Sequence, residues 1–311
     1  MPNSSTDLPC AVILTALPVE YEAVRAHLKD TREKIHEGTI YELGHFQSGD
    51  QSWEVAIAEI GMSNPIAASA AERAIACFKP QLVLFVGVAG GLKYVQLGDV
   101  VAANKVYGLE YGKVEDTGFK TRPSVYNSTH ALDQRARAVA RRQDWLKRLP
   151  IPLPEPSPKA LVGPIAAGEK VLASTSSETW NLIKQSYGDA LAVEMEGHGF
   201  LAALHANQHV EALIIRGISD LIDGKREADA ANSQAVAAQH ASAFAFEVLA
   251  KLGEGREFLS SQANAEKANP QTQTTQNTGK FVFNIEGNVH QSTVGDNPQV
   301  TINYGNKPQK I

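Results

Sequence analysis

What most constrains this chain is a rhythm: from residue 10 to about residue 252, short aliphatic runs alternate with longer amphipathic stretches. The short runs have the length of buried strands, and the stretches between them space apolar residues at helical intervals. Together they predict an α/β layered fold around one sheet. Strands are expected at Ala11–Thr15, Trp53–Ala58, Leu82–Gly87, Asp99–Ala103, Leu161–Ala167 and Ala212–Gly217. Helices are expected at Val19–Leu28, Ile66–Phe78, Ala131–Leu146, Ser177–Tyr187, Gly197–His205 and Ala228–Leu252, with Pro18 and Pro65 suited to first turns, where a missing N–H is no loss. The proline-dense stretch Pro150–Pro158 reads as an exposed connection.

Composition narrows the classes. The 311 residues allow one large or two ordinary domains, and the 43% hydrophobic content is enough for a sizeable core. With 29 Lys+Arg against 34 Asp+Glu, a net charge of -5, the chain lacks the basic excess that a nucleic acid or an anionic membrane would select. Cys10 and Cys77 fit no zinc spacing and are too few to staple the chain, which points to a reducing compartment. Met1–Leu8 carries no basic cluster followed by an apolar run, so a cytoplasmic protein is expected. The longest apolar run, Leu82–Leu92, is roughly half of the ~20 residues a membrane span needs; it reads as a buried strand and its turn.

After Leu252 the composition changes. Ser260–Lys280 has no aliphatic residue larger than alanine and no aromatic, so it reads as a polar linker. Beyond it, Phe281-Val-Phe-Asn-Ile and Gln299-Val-Thr-Ile-Asn-Tyr alternate apolar and polar residues around a turn, as a hairpin or short β-solenoid would. Two or three strands alone are marginal in water, so this element wants a partner surface on its own body, a sister subunit or another protein. The expected organisation is a body at 10–252, a linker at 253–280 and a short β-rich tail at 281–305.

Three segments could carry chemistry. Leu82-Val-Leu-Phe-Val-Gly-Val-Ala-Gly-Gly-Leu brings Gly90 and Gly91 to a place where backbone can approach an anion or a sugar, although it matches neither a dinucleotide fingerprint nor a phosphate loop. Ala190-Leu-Ala-Val-Glu194-Met195-Glu196-Gly delivers two carboxylates to a strand-to-helix junction, where they could also be simple dipole partners. Ala212-Leu-Ile-Ile-Arg216-Gly-Ile-Ser219-Asp220 ends in polar residues, and ligands gather at strand ends in open α/β sheets. A third acid, Glu20, starts the helix after the first strand.

These residues, in this order, resemble the purine nucleoside phosphorylase and nucleosidase superfamily, above all its 5'-methylthioadenosine/S-adenosylhomocysteine nucleosidase branch. The resemblance spans about residues 10–252 and rests on Ala-Leu-Pro-Val-Glu20, Glu59-Ile-Gly-Met-Ser, Val86-Gly-Val-Ala-Gly-Gly-Leu, Leu97-Gly-Asp-Val-Val, Gly163-Pro-Ile-Ala-Ala-Gly-Glu-Lys, Val193-Glu-Met-Glu-Gly and Arg216-Gly-Ile-Ser-Asp. It implies a three-layer α/β sandwich around a mixed central sheet, and cleavage of a purine N-ribosyl bond without metal or cofactor. It implies that Asp220, oriented by Ser219, protonates the departing base. Glu196 is implied to hold the ribose hydroxyls, with Met195 packing on the sugar, and Glu20 to activate water. Glu194, Gly90, Gly91 and Val171 are further expected substrate contacts, Val171 through the loop after Gly-Glu-Lys. The nucleosidase pattern has a small hydroxyl residue where this chain has Val88.

A phosphate-dependent phosphorylase is the near alternative, and a nucleotide-sensing module signalling through the tail is the alternative from another class. Leu-Ile-Asp223-Gly-Lys225-Arg226 and the tail resemble a subset found in microbial defence proteins, some of which cleave nucleotides; for a triphosphate the candidate cations are Lys225, Arg226, Lys170 and Arg122. A homo-oligomer is also expected from the resemblance. His205 and His209 have a metal-compatible spacing but no accompanying glutamate, so no metal site is expected. His198 could line the site, and Phe119, Tyr107 and Trp180 could stack on a base, although such residues more often serve a core.

Overall fold

The computed structural model describes residues 8–116, 118–153, 155–222 and 230–252. The polar linker, the β-rich tail, Asp223, Lys225 and Arg226 lie outside the described residues. The elements run β1 (Cys10–Thr15), α1 (Pro18–Arg25), β2 (Lys29–His36), β3 (Thr39–Ser48), β4 (Gln51–Glu59), α2 (Asn64–Phe78), β5 (Leu82–Gly91), β6 (Val100–Gly108), β7 (Gly112–Glu115), β8 (Gly118–Thr121), β9 (Ser124–Asn127) and α3 (His130–Arg142). A short 3₁₀ helix (Asp144–Arg148) leads on to β10 (Ala160–Ala167), α4 (Glu178–Ser186), β11 (Ala192–Glu194), α5 (Gly197–Ala206), β12 (Glu211–Leu221) and α6 (Ala230–Leu252).

Ten strands form one mixed sheet in the order β11-β10-β6-β12-β5-β1-β4-β3-β2, with β9 on β6. β11 also pairs antiparallel with β5, so the two strands that carry acidic motifs, β11 and β12, flank the glycine-bearing end of β5. Alternation along the central strands feeds two cores, as the period of two requires. Val12, Leu14, Val83, Phe85, Ala212 and Ile214 face α2 and α5. Ala11, Ile13, Leu82, Leu84, Leu213 and Ile215 face α1, α3 and α6. This is the expected three-layer sandwich.

All six expected strands and all six expected helices are present, with shifted ends. Two differences matter for the site. The expected glycine turn is absent: β5 continues through Gly91, paired with β12 on one side and β11 on the other. The glycines therefore serve close approach within a strand. The hairpin β2–β3 was invisible to hydropathy, because β2 is a solvent-facing edge strand rich in charge, a composition that also protects a sheet edge.

Candidate active site

The site lies at the C-terminal ends of β1, β5, β11 and β12. Its centre is Arg216, fully buried on β12. Its Nη2 donates to Glu194 Oε2 at 2.5 Å and to Glu196 Oε2 at 3.1 Å, and its guanidinium lies 4.4 Å from the Phe85 ring centroid. Its Nη1 and the Glu20 carboxylate both crowd the Cα of Gly87, where an added Cβ would overlap them. Three carboxylates thus converge on one guanidinium. β5 can admit this cluster because position 87 has no side chain.

Glu20 sits in the first turn of α1 and is 2% exposed. Its Oε2 accepts from the N–H groups of Ala16 (2.7 Å) and Leu17 (3.0 Å), and its Oε1 accepts from the Val88 N–H (2.8 Å). Burial pushes the Glu20 carboxyl above its ordinary range, against the pull of Arg216 and of these three N–H groups. Burial also pushes Glu196 up; Arg216 opposes the shift, while Glu194 and Glu20 reinforce it. For Arg216, burial works against the charge, but the three glutamates outweigh it and hold the guanidinium protonated.

Glu194 is 5% exposed, and its oxygens are occupied within the protein. Oε1 accepts from Gly197 N–H at 2.9 Å, while Oε2 accepts from Glu196 N–H at 3.1 Å and from Arg216. It was expected as a substrate contact, but the geometry makes it a fastener of the α5 start, because a carboxylate bonded at both oxygens has little capacity left for a ligand.

Ser219 marks a register shift in the β12–β5 ladder: Ile218 pairs with Ala89, but Asp220 pairs with Gly90. Such bulges re-aim side chains near functional sites. Here the Asp220 carboxyl is set over Gly90, whose added Cβ would stand 3.0 Å from Asp220 Oδ1. Ser219 donates its hydroxyl to Asp220 Oδ2 at 3.3 Å, as an orienting residue would. Gly90 therefore faces the acid, whereas Gly91 does not: an added Cβ there would meet Leu221, Val95 and Ile218. Gly91, expected as a substrate contact, is a packing glycine.

Met195 is half-buried beside Glu196. Val171 is 69% exposed in the loop after β10, free of the core and available to a ligand. Lys170 and Arg122 are exposed and form no side-chain bond among the described residues. His198 bonds Ser124 through Nε2 at 2.9 Å and packs on Gly108, tying α5 to β9 and β6. Tyr107 and Trp180 pack with the cluster around Tyr187, and Phe119 covers Gly112 in the β7–β8 hairpin. His205 stacks near Tyr126, with ring centroids 5.5 Å apart. Among the described residues no group of three or more His, Cys, Asp or Glu could hold a metal ion.

Sequence reasoning quoted Arg216 within a motif but gave it no role, and it passed over Gly87. A lone arginine inside an apolar strand was the available signal, since a charge there must be paired.

A mixed-sheet sandwich gathers four acids at one end, Asp220 over Gly90 and Glu20, Glu194 and Glu196 around the buried Arg216, and carries neither a dinucleotide fingerprint nor a phosphate loop. The chain belongs to the phosphorylase superfamily, whose family description matches residues 11–252. It is similar to the 5'-methylthioadenosine/S-adenosylhomocysteine nucleosidase of Staphylococcus haemolyticus, with 26% identity over 203 residues, 65% of this chain and 84% of that protein. Among solved structures it resembles the nucleosidase of the same name from Colwellia psychrerythraea in complex with adenine (TM-score 0.64, 23% identity, 79% of this chain and 96% of that one). It also resembles that of Campylobacter jejuni (TM-score 0.63, 23% identity, 79% and 100%).

Proposed function

We propose that this protein hydrolyses the N-glycosidic bond between adenine and ribose in a nucleoside or nucleotide. Breaking that bond leaves electron density on the base and positive charge on the sugar. In this reading Asp220, oriented by Ser219, donates a proton to the purine ring, which leaves as the neutral base. Glu196, beside Met195, accepts hydrogen bonds from the ribose hydroxyls and balances the oxocarbenium-like charge. Glu20 takes a proton from the water that attacks the anomeric carbon. The base would lie between Asp220, the Gly90 strand and the loop 168–171.

One observation favours water over phosphate: Glu20 occupies the Val88 N–H at 2.8 Å. A backbone amide beside glycines is the natural donor for an anion, and a carboxylate already bonded to it both removes the donor and repels phosphate. The test is free-base release in phosphate-free buffer from methylthioadenosine, adenosylhomocysteine, adenosine, AMP and ATP, each assayed separately. Adenine from at least one of them supports the reading, and which one sets the substrate class. Release from none defeats it.

Assembly into a homo-oligomer, a cytoplasmic setting, a partner for the tail at 281–305 and a role in antiviral defence are carried as parts of the same proposal. They rest on the resemblance, on composition and on the tail pattern. No helix among the described residues is long and apolar enough to cross a membrane.

A further inference from the structure

α5 starts in an unusual way. Its N-cap is Glu196, at the position where a short polar side chain ordinarily turns back to accept from the N–H groups of the first turn. Glu196 makes no such cap bond. The N–H groups of the first turn are served from elsewhere: Glu194 takes Gly197 N–H, and Asn64, from the first residue of α2, takes Gly199 N–H through Oδ1 at 2.9 Å. The two helix starts touch so closely that an added Cβ at Gly199 would overlap the Asn64 backbone carbonyl. The other end of the same amide donates through Nδ2 to Glu169 Oε1 at 2.8 Å, in the loop after β10. Glu169 N–H in turn donates to Glu110 Oε1 at 3.2 Å. Just before this residue, Ser63 holds φ at 130°, a conformation costly for a residue with a side chain and one that persists where surrounding structure over-determines it.

Resting on the hydrolase reading above, we propose that Asn64 is a positioning residue of the reaction: by capping α5 in place of Glu196, it leaves the Glu196 carboxylate free for Arg216 and the ribose hydroxyls. Without Asn64, the Gly199 N–H is left at the third helical position, the one that an N-cap side chain serves, and the N-cap here is Glu196. Its carboxylate would swing out of the site to cap its own helix. Asn64 does not touch the substrate; it acts through the side chain it releases.

The experiment compares Asn64→Ala with Asn64→Asp. Alanine removes the cap, whereas aspartate keeps an acceptor for Gly199, loses the donations to Glu169 and Gly168 and sets a like charge beside Glu169. For Asn64→Ala, kcat/KM for the nucleoside hydrolysed by the wild type should fall about 10–100-fold, well beyond any loss of affinity for free adenine, whose site includes the loop 168–171 that Asn64 also holds. Asn64→Asp should recover most of the lost turnover. Equal losses in the two variants overturn the proposal, as does unchanged turnover in Asn64→Ala or a matching loss of adenine affinity. Should Asn64→Ala not fold, a large turnover loss in well-folded Asn64→Asp overturns it equally. A wild type that releases no base defeats the hydrolase reading itself, and this inference with it, whereas an active wild type with an indifferent Asn64→Ala defeats only the inference.

Discussion

Arg216 Nη2 stands 2.5 Å from Glu194 Oε2, with both side chains closed off from solvent. The pair joins β12 to the start of α5, so the helix that carries Glu196 is fastened to the strand that carries Asp220. Glu194→Ala leaves Arg216 with Glu196 and Glu20 but strips the Glu196 and Gly197 N–H groups of their acceptor, so it should lose about 1–3 kcal/mol of stability, read as a lower urea midpoint at unchanged slope.

Gly87 and Gly90 make a contrasting pair. An added Cβ at 87 overlaps the Arg216 guanidinium and the Glu20 carboxylate, whereas one at 90 stands 3.0 Å from Asp220 Oδ1. Gly87→Ala should unfold or precipitate, because a buried cluster cannot yield. Gly90→Ala should fold with a nearly unchanged melting temperature and lose about 10-fold or more in kcat, through displacement of the acid. Circular dichroism melts and turnover on the same preparations distinguish the two.

The fold was legible because its central strands are continuous apolar runs and its helices are amphipathic. The edge hairpin β2–β3 was not, since Ile35 and Ile40 face solvent among charges and give no buried pattern. The motifs put Glu20, Glu196 and Asp220 forward as a site, and the structure gathers them at one end of the sheet. Which carboxylate is taken up by backbone N–H groups was not legible: Glu194 and Glu196 are two residues apart in one motif, and only the turn at the helix start gives the first to backbone N–H groups and leaves the second on Arg216. Asn64 carried no signal because its partners lie 105 and 135 residues away.

Glu196 gives stability a pH dependence with a definite sign. Burial lifts its carboxyl from 4.5 to about 8 in the folded protein without substrate, so the native state holds a proton that the unfolded chain releases, and Glu196 balances the positive charge of the sugar only once that proton has left. The stabilisation is fully present below the unfolded value and is lost as pH rises through the folded one. The melting temperature should fall between about pH 5 and about pH 8, and Glu196→Gln should flatten that fall. An equally steep decline in the variant would place the proton elsewhere.

Asp220→Asn keeps the shape of the side chain and cannot act as an acid toward the departing base. Base release should drop about 10²–10⁴-fold, while free adenine still binds with near wild-type affinity by calorimetry. A variant that turns over normally would remove Asp220 from the proton-donating role.

The account rests most heavily on Glu20 holding the Val88 N–H and directing water rather than phosphate to the sugar. The most direct measurement is the sugar product formed from the best substrate, followed by phosphorus and proton NMR with and without inorganic phosphate. The account predicts free sugar at a rate indifferent to phosphate. A phosphorylated sugar that appears only when phosphate is added would contradict it.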